Sequence, residues 1–337
     1  MERANIRIAV DVMGGDFAPR NVIDGALEAL RETNNRFEVI FVGPEATVLE
    51  ELGQRQSNGF SYRVVNASQV IDMHDGATAA LRQKRDSSIA VGIMLQKESK
   101  ADAFVSAGNT GAVMSASTLI LGRIEGVGRP TIGAFFPNEQ GVCLLLDAGA
   151  NVDCKPQHLY EFAVMGSIYA REMFRYENPT VGLLNIGEEV SKGSEVVKES
   201  YNLLKNSQLN FVGNVEGRDI LRGAAQVVVC DGFVGNIILK FAESVPAFFK
   251  SAVKQYFAGH RFKRIFGAFM RGTMRNVLKS LDYEEYGGVP LLGINGVSII
   301  GHGKSTPKAI KNMIFKAEEM VRKGINQRIQ EALVVTR

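Results

Sequence analysis

The residues best able to do chemistry in this chain sit in a recurring local pattern. An apolar, β-branched run ends in Asp, Asn or Ser, glycine follows, and small polar residues lead into a helical pattern. It occurs as Asp11-Val12-Met13-Gly14-Gly15-Asp16, as Ser106-Ala107-Gly108-Asn109-Thr110-Gly111 and as Asp147-Ala148-Gly149-Ala150-Asn151. It returns as Asn185-Ile186-Gly187-Glu188-Glu189-Val190-Ser191-Lys192-Gly193-Ser194 and as Asp231-Gly232-Phe233-Val234-Gly235-Asn236, with a variant at Gly301-His302-Gly303-Lys304-Ser305-Thr306. In a parallel α/β sheet such junctions lie at the carboxyl ends of strands, where ligands bind. Glycine lets the backbone approach a ligand closely, and the first amides of a helix attract anions. One junction alone needs no ligand to explain it, because any strand–helix turn calls for glycine and a capping residue. Several together, carrying Asn, Ser, Thr or Lys, point to a polar cleft for an anionic ligand.

Other chemistries fail on spacing. The sequence holds no G-x-G-x-x-G fingerprint, so a dinucleotide is not expected. Gly303-Lys304-Ser305 resembles the end of a phosphate-binding loop, but Ser298 stands where that loop needs its first glycine. A G-x-S-x-G elbow is missing. His74, His158, His260 and His302 show no ligand spacing, and Cys143, Cys154 and Cys230 form no close pair, which suggests reduced thiols and no structural zinc. A cysteine–histidine nucleophile pair stays open, although no local signature announces one. The best fit is chemistry that needs no metal, nucleotide or activated side chain. Phosphate attacking a thioester meets that description, because the anion is itself the nucleophile.

These junctions need elements to hold them. Strands are expected at Ile6–Val12, Phe37–Val42, Tyr62–Asn66, Ala103–Ser106, Thr131–Phe136, Val142–Asp147, Thr180–Asn185, Phe211–Val212, Gln226–Cys230 and Val297–Gly301. Amphipathic stretches such as Val22–Arg31, Leu159–Phe174, Glu195–Lys205 and Lys308–Lys323 lie between them. Such alternation predicts a mainly parallel sheet covered by helices. Thr131–Phe136 and Val142–Asp147, joined by Pro137-Asn138-Glu139-Gln140, read instead as an antiparallel hairpin, so the sheet is expected to be mixed.

The 337 residues, 45% hydrophobic and 22% charged, suit one large α/β unit over residues 4–330, or two interlocked lobes. No repeat or linker divides the chain. The first residues lack the apolar core of a secretory signal, which points to the cytoplasm. Ala103–Gly122 approaches the length of a membrane span, but Ser106, Asn109, Thr110, Ser115, Ser117 and Thr118 make it a buried strand, turn and helix instead.

The net charge of +3 is unevenly spread. Residues 244–281 carry Lys250, Lys254, Arg261, Lys263, Arg264, Arg271, Arg275 and Lys279 without an acid, so the remainder is net negative. Phe248, Phe249, Tyr256, Phe257, Phe262, Phe266 and Phe269 are interleaved with these cations, and Gly259-His260 marks a break. The expectation is a protruding helical pair that touches a membrane surface, an acidic protein, or both. An ordinary packed pair with a solvated basic face is the plainer alternative.

The opening Ile8-Ala9-Val10-Asp11-Val12-Met13-Gly14-Gly15-Asp16-Phe17-Ala18-Pro19 closely resembles the start of the PlsX-type phosphate acyltransferases. So do Lys84-Arg85-Asp86-Ser87-Ser88, Ser106-Ala107-Gly108-Asn109-Thr110-Gly111-Ala112, Asn185-Ile186-Gly187-Glu188-Glu189, Asn214-Val215-Glu216-Gly217-Arg218-Asp219 and Asp231-Gly232-Phe233-Val234-Gly235-Asn236. The blocks keep that family's order and span nearly the whole chain. The resemblance implies reversible acyl transfer from acyl carrier protein to inorganic phosphate, supplying acyl phosphate for glycerolipid synthesis. It also implies a homodimer and a three-layer α/β/α fold like phosphotransacetylases and isopropylmalate-type dehydrogenases. No metal or other cofactor is expected, and no nucleic-acid partner. Peripheral contact with the membrane, and with a membrane glycerol-phosphate acyltransferase, is expected.

Within that chemistry Lys192, on a glycine-flanked loop, is the candidate for phosphate or oxyanion charge, and Asn236 the candidate amide donor to the oxyanion. Surface exposure for Lys192, and capping of a helix over Ile237–Phe241 for Asn236, are the competing readings. The substrate and phosphate set is Asp11, Gly14, Gly15, Ser106, Asn109, Thr110, Asp231 and His302, the last in a histidine–glycine–serine element with Lys304 inserted. Lys84 and Arg85 are either anion contacts or a charged helix end. Carrier-protein or membrane contact falls to Lys254, Arg261, Lys263, Arg264, Phe266, Phe269 and Arg271. A short-chain phosphotransacetylase using coenzyme A, and a non-catalytic membrane-surface scaffold for carrier protein, are the alternatives.

Overall fold

The computed structural model describes residues 6–258 and 287–335. Among them eleven strands form one sheet, in the order β3-β2-β1-β4-β11-β10-β5-β6-β9-β7-β8. In chain order these are β1 (Ile6–Asp11), β2 (Phe37–Gly43), β3 (Tyr62–Asn66), β4 (Ala103–Ser106), β5 (Thr131–Asn138) and β6 (Gly141–Leu146). Then come β7 (Thr180–Leu184), β8 (Asn210–Val215), β9 (Val227–Val229), β10 (Val289–Leu292) and β11 (Val297–Ile300).

Strands β3, β2, β1, β4 and β11 run parallel. β10 is antiparallel to β11 and to β5, and β5 is antiparallel to β6. β6, β9, β7 and β8 are again mutually parallel, but opposite in direction to the first five. The expected hairpin is therefore the device that reverses the sheet. Its pairing continues through Pro137 and Asn138, so the turn is shorter than the sequence implies.

Period-2 alternation sends Ile8 and Val10 to one face of β1 and Ala9 to the other. On the first face lie α1 (Arg20–Glu32), α2 (Glu45–Gly53), α6 (Pro156–Phe174), α7 (Glu195–Lys205), α10 (Pro307–Lys323) and α11 (Ile325–Val335). On the second lie α3 (Ala77–Gln83), α4 (Ser88–Lys97), α5 (Thr110–Ala116), α8 (Gly217–Arg222) and part of α9 (Gly232–Ala258). The result is the expected α/β architecture, a mixed and mainly parallel sheet between two helical layers.

α4 rides on the sheet through Gly92, where an added Cβ would lie 2.3 Å from the Phe104 ring. Beyond α5 the chain widens into a π-helical turn, Ser117–Leu121, so the apolar stretch at Ala103–Gly122 is the strand, turn and helix expected of it. α9 starts at Gly232, earlier than the sequence suggests, and leaves Phe241, Phe248 and Tyr256 exposed. The second member of the expected helical pair lies outside the described residues.

Candidate functional site

The strand-end loops fall into two sets. In the first, the ends of β1, β4 and β11 meet. Asp11 is buried, and the Ser106 hydroxyl donates to its Oδ2 at 2.6 Å, while the Met13 amide donates to Oδ1 at 3.1 Å. Burial raises the Asp11 pKa, opposed by hydrogen bonds from Ser106, Ser88, Met13 and Gly14. Gly14 is required here: a Cβ would sit 2.6 Å from Asp11 Oδ2 and 2.8 Å from the Gly108 amide. The Asp16 amide donates to the Gly303 carbonyl at 2.6 Å, which brings the His302 loop against Gly15.

Two candidates in this set have other work. Asn109 accepts from the Ala112 amide, capping α5, and its Nδ2 donates to the carbonyls of Asp72, Met73 and Asp75. Its side chain therefore clamps the 72–75 loop and has no donor left for phosphate. Lys84 likewise donates to Asp75 at 2.6 Å and to the Val70 carbonyl at 2.8 Å. Asp11, a buried acceptor of several hydrogen bonds, positions Ser106 and the glycine loop. Thr110 and His302 are exposed, and His302 Nδ1 accepts from the Lys304 amide at 3.1 Å. Ser305 closes the same turn, its amide donating to the His302 carbonyl at 2.9 Å.

The second set gathers at the ends of β6, β9 and β7. Asp147 is buried and accepts from the amides of Ile132, Gly149, Ala150 and Asn151 and from Asn151 Nδ2. Burial raises its pKa against those bonds. Asp231 caps α9, accepting from the Val234 amide at 2.9 Å. Asn236 is then inside the helix, not its cap, and a Cβ on Gly149 would meet its Oδ1 at 3.3 Å. An exposed amide thus lies directly over the Asp147 loop.

On the neighbouring strand Asn185 Nδ2 donates to the Lys192 carbonyl at 3.1 Å, and its Oδ1 accepts from the Ile186 amide. Asn214 Nδ2 donates to the Glu189 carbonyl at 3.1 Å. The 186–193 loop is pinned by these two asparagines, with Lys192 exposed upon it. Because β6, β9 and β7 are parallel neighbours, Lys192 and Asn236 leave the sheet at the same edge.

The cysteine alternative loses its footing. Burial pushes the Cys143 thiol up to about 12, and burial with the Asp147 charge does the same for Cys154. Burial also holds Cys230 well above the ordinary thiol range. A thiol held protonated is a poor nucleophile. Among the described residues no cluster of His, Cys, Asp or Glu could hold a metal ion. Lys254 lies exposed on α9, while Arg261, Lys263, Arg264, Phe266, Phe269 and Arg271 fall outside the described residues.

The structure adds Asp147, Asn185, Asn214 and Ser88 to the residues that shape the site. Asp147 and Asn185 each end an apolar run before a glycine, a signal legible in the sequence. Ser88 and Asn214 act across long chain separations and carry no such signal.

A mixed three-layer α/β sheet with glycine-rich polar loops at its strand ends defines the class of protein. The chain belongs to the family described as fatty acid synthesis protein, whose profile matches residues 6–328. It is 48% identical to the phosphate acyltransferase of Chlorobaculum parvum, covering 98% of this chain and 99% of that one. With that of Dictyoglomus turgidum it shares 47% identity, covering 97% and 98%. With that of Desulforudis audaxviator it shares 49%, covering 95% and 94%. Among solved structures it resembles the EutD phosphotransacetylase from Staphylococcus aureus, at TM-score 0.59 and 18% identity over 94% of each chain. A phosphotransacetylase from Streptococcus pyogenes aligns at TM-score 0.57 and 17% identity, covering 97% and 94%. At such identities these two likenesses speak for the fold alone.

Proposed function

We propose that this chain is a phosphate acyltransferase that moves an acyl group from acyl carrier protein to inorganic phosphate, releasing acyl phosphate and free carrier protein. One observation carries the reading: 47–49% identity to phosphate acyltransferases over nearly the whole length of each chain. A phosphate oxygen attacks the thioester carbonyl carbon, the tetrahedral oxyanion collapses, and the C–S bond breaks. The thiolate takes a proton from solvent. A thiol of pKa about 8.5 leaves without a strong acid, so positioning and electrostatics carry the catalysis.

Lys192 supplies positive charge to phosphate or oxyanion, and the Asn236 amide donates to the oxyanion. The Gly14 and Gly15 region, Thr110 and His302 line the anion side, with Asp11, Ser106 and Asn109 as the residues that hold it in shape, and Asp231 fixes the start of α9. Sheet twist supports one cleft for both sets. At about 20–25° per strand, the five strand-to-strand steps from β4 to β9 turn the second half through about 100–125°. Strand ends that start out opposed then point within about 80° of one another.

The finer reading is a cytoplasmic homodimer that works at the membrane face, handing acyl phosphate to a membrane glycerol-phosphate acyltransferase. α9 supports the surface contact. Gly232–Tyr256 is long and apolar enough to cross a membrane, yet Lys240, Glu243, Lys250 and Lys254 make lying along the interface cheaper than spanning it. The deciding assay incubates purified protein with phosphate and palmitoyl-acyl carrier protein and measures acyl phosphate. Formation with EDTA present supports the reading. Activity only with a short acyl-coenzyme A would favour a phosphotransacetylase instead, and no turnover with either would favour a scaffold.

A further inference from the structure

A groove of about 450 Å³ opens on the second face between α3, α4 and the end of α5. Leu81, Val91, Met94, Leu119 and Ile120 give it an apolar lining, and Arg82 and Arg85 also border it. Its size is that of a small-molecule site. Met94 is 40% exposed and Leu119 69%, so the chain itself leaves this apolar surface uncovered. The π-helical turn puts Leu119 and Ile120 on the groove; such turns recur at functional sites.

Its polarity has a direction. α4 begins at Ser88, whose hydroxyl reaches Asp11, and α5 begins behind Asn109, which clamps the 72–75 loop. Both walls therefore start at the polar loops of β1 and β4 and run away from them. Arg85 lies three residues before α4, at that polar end, and Glu98 closes the far end, where it pairs with Lys100 at 2.8 Å. Among the described residues no carboxylate pairs with Arg82 or Arg85. Unpaired guanidiniums beside a polar loop, followed by about 15 Å of apolar wall along the ten residues of α4, match an anionic head on a long hydrocarbon chain.

We propose that this groove holds the acyl chain of the thioester substrate and of the acyl phosphate product, chain along α4 and phosphate end toward Arg85 and the β1–β4 loops. The assignment rests on the acyltransfer reading above and adds to it the place of the chain.

Dodecyl phosphate and butyl phosphate, each below its micelle concentration, test it by calorimetric titration of the full chain. Each methylene that leaves water should tighten binding about fourfold, so an open groove that takes half of the eight extra methylenes out of water gives on the order of 200-fold in favour of dodecyl phosphate. Met94→Glu and, separately, Leu119→Glu change exposed side chains and should fold normally, as checked by thermal melting. Either should cut the dodecyl-to-butyl ratio at least tenfold while butyl phosphate binding holds. An unchanged ratio in both folded variants, or no chain-length gain in the wild type, overturns the proposal. So does a change of subunit number in these variants by light scattering, which would make the groove a contact between copies. The acyltransfer reading fails separately, if the wild type forms no acyl phosphate from any acyl-acyl carrier protein.

Discussion

Ser106 donates to Asp11 at 2.6 Å across 95 residues of sequence, tying the end of β4 to the end of β1. The bond is buried, and burial holds the Asp11 carboxyl above the ordinary aspartate range. The glycine loop after β1 and the helix after β4 are thereby set against each other before any ligand arrives.

That burial has a pH signature. A carboxyl whose folded pKa lies above its unfolded value binds more protons when folded. It favours the fold below the unfolded value of about 4 and loses that contribution as pH rises through the folded value. Wild type should therefore lose stability across that window relative to Asp11→Asn. Urea unfolding from acid to neutral pH reads it as a difference that widens with pH in favour of the variant. A flat difference would show that Asp11 ionises as it does in water.

Lys192→Ala and Asn236→Ala should each slow turnover by about 100- to 1,000-fold, the usual cost of one oxyanion donor. Both side chains are exposed, so melting temperatures should barely move. A folded variant with near-normal kcat removes that residue from the mechanism.

Gly92→Ala should destabilise the fold by about 1–3 kcal/mol, since the new methyl meets the Phe104 ring at 2.3 Å. Phe104→Leu should recover part of that loss in the double variant. Additive losses in denaturant unfolding would place the strain elsewhere.

Phe248→Glu together with Lys254→Glu should weaken co-sedimentation with anionic phosphatidylglycerol vesicles at low salt. Losing one basic residue near such a surface costs about 1 kcal/mol, roughly fivefold, before the lost phenylalanine is considered. Equal binding of variant and wild type would rule out α9 as the membrane-facing element.

Much of this protein was legible from neighbouring residues. Short β-branched runs marked strands at Ile6–Val12 and Thr131–Phe136, which the fold ends at Asp11 and Asn138, and the 3.6-residue period marked α1, α6, α7 and α10, because a face that must be buried writes its period into the chain. The polar residues at strand ends were legible for the same local reason, as were the family blocks that carry Lys84, Ser106, Asn185 and Asp231. β10 was not, for its four residues include Pro290, which argues against a central strand until the antiparallel pairing on both sides is known. Nor was the reversal of the second half of the sheet, since strand direction depends on which distant segment pairs with which. Only the tertiary structure decided that Asn109 clamps the 72–75 loop and that Asn214 holds the loop carrying Lys192. In both cases the hydrogen-bond partner lies where the fold brings it, and local sequence holds no record of that distance.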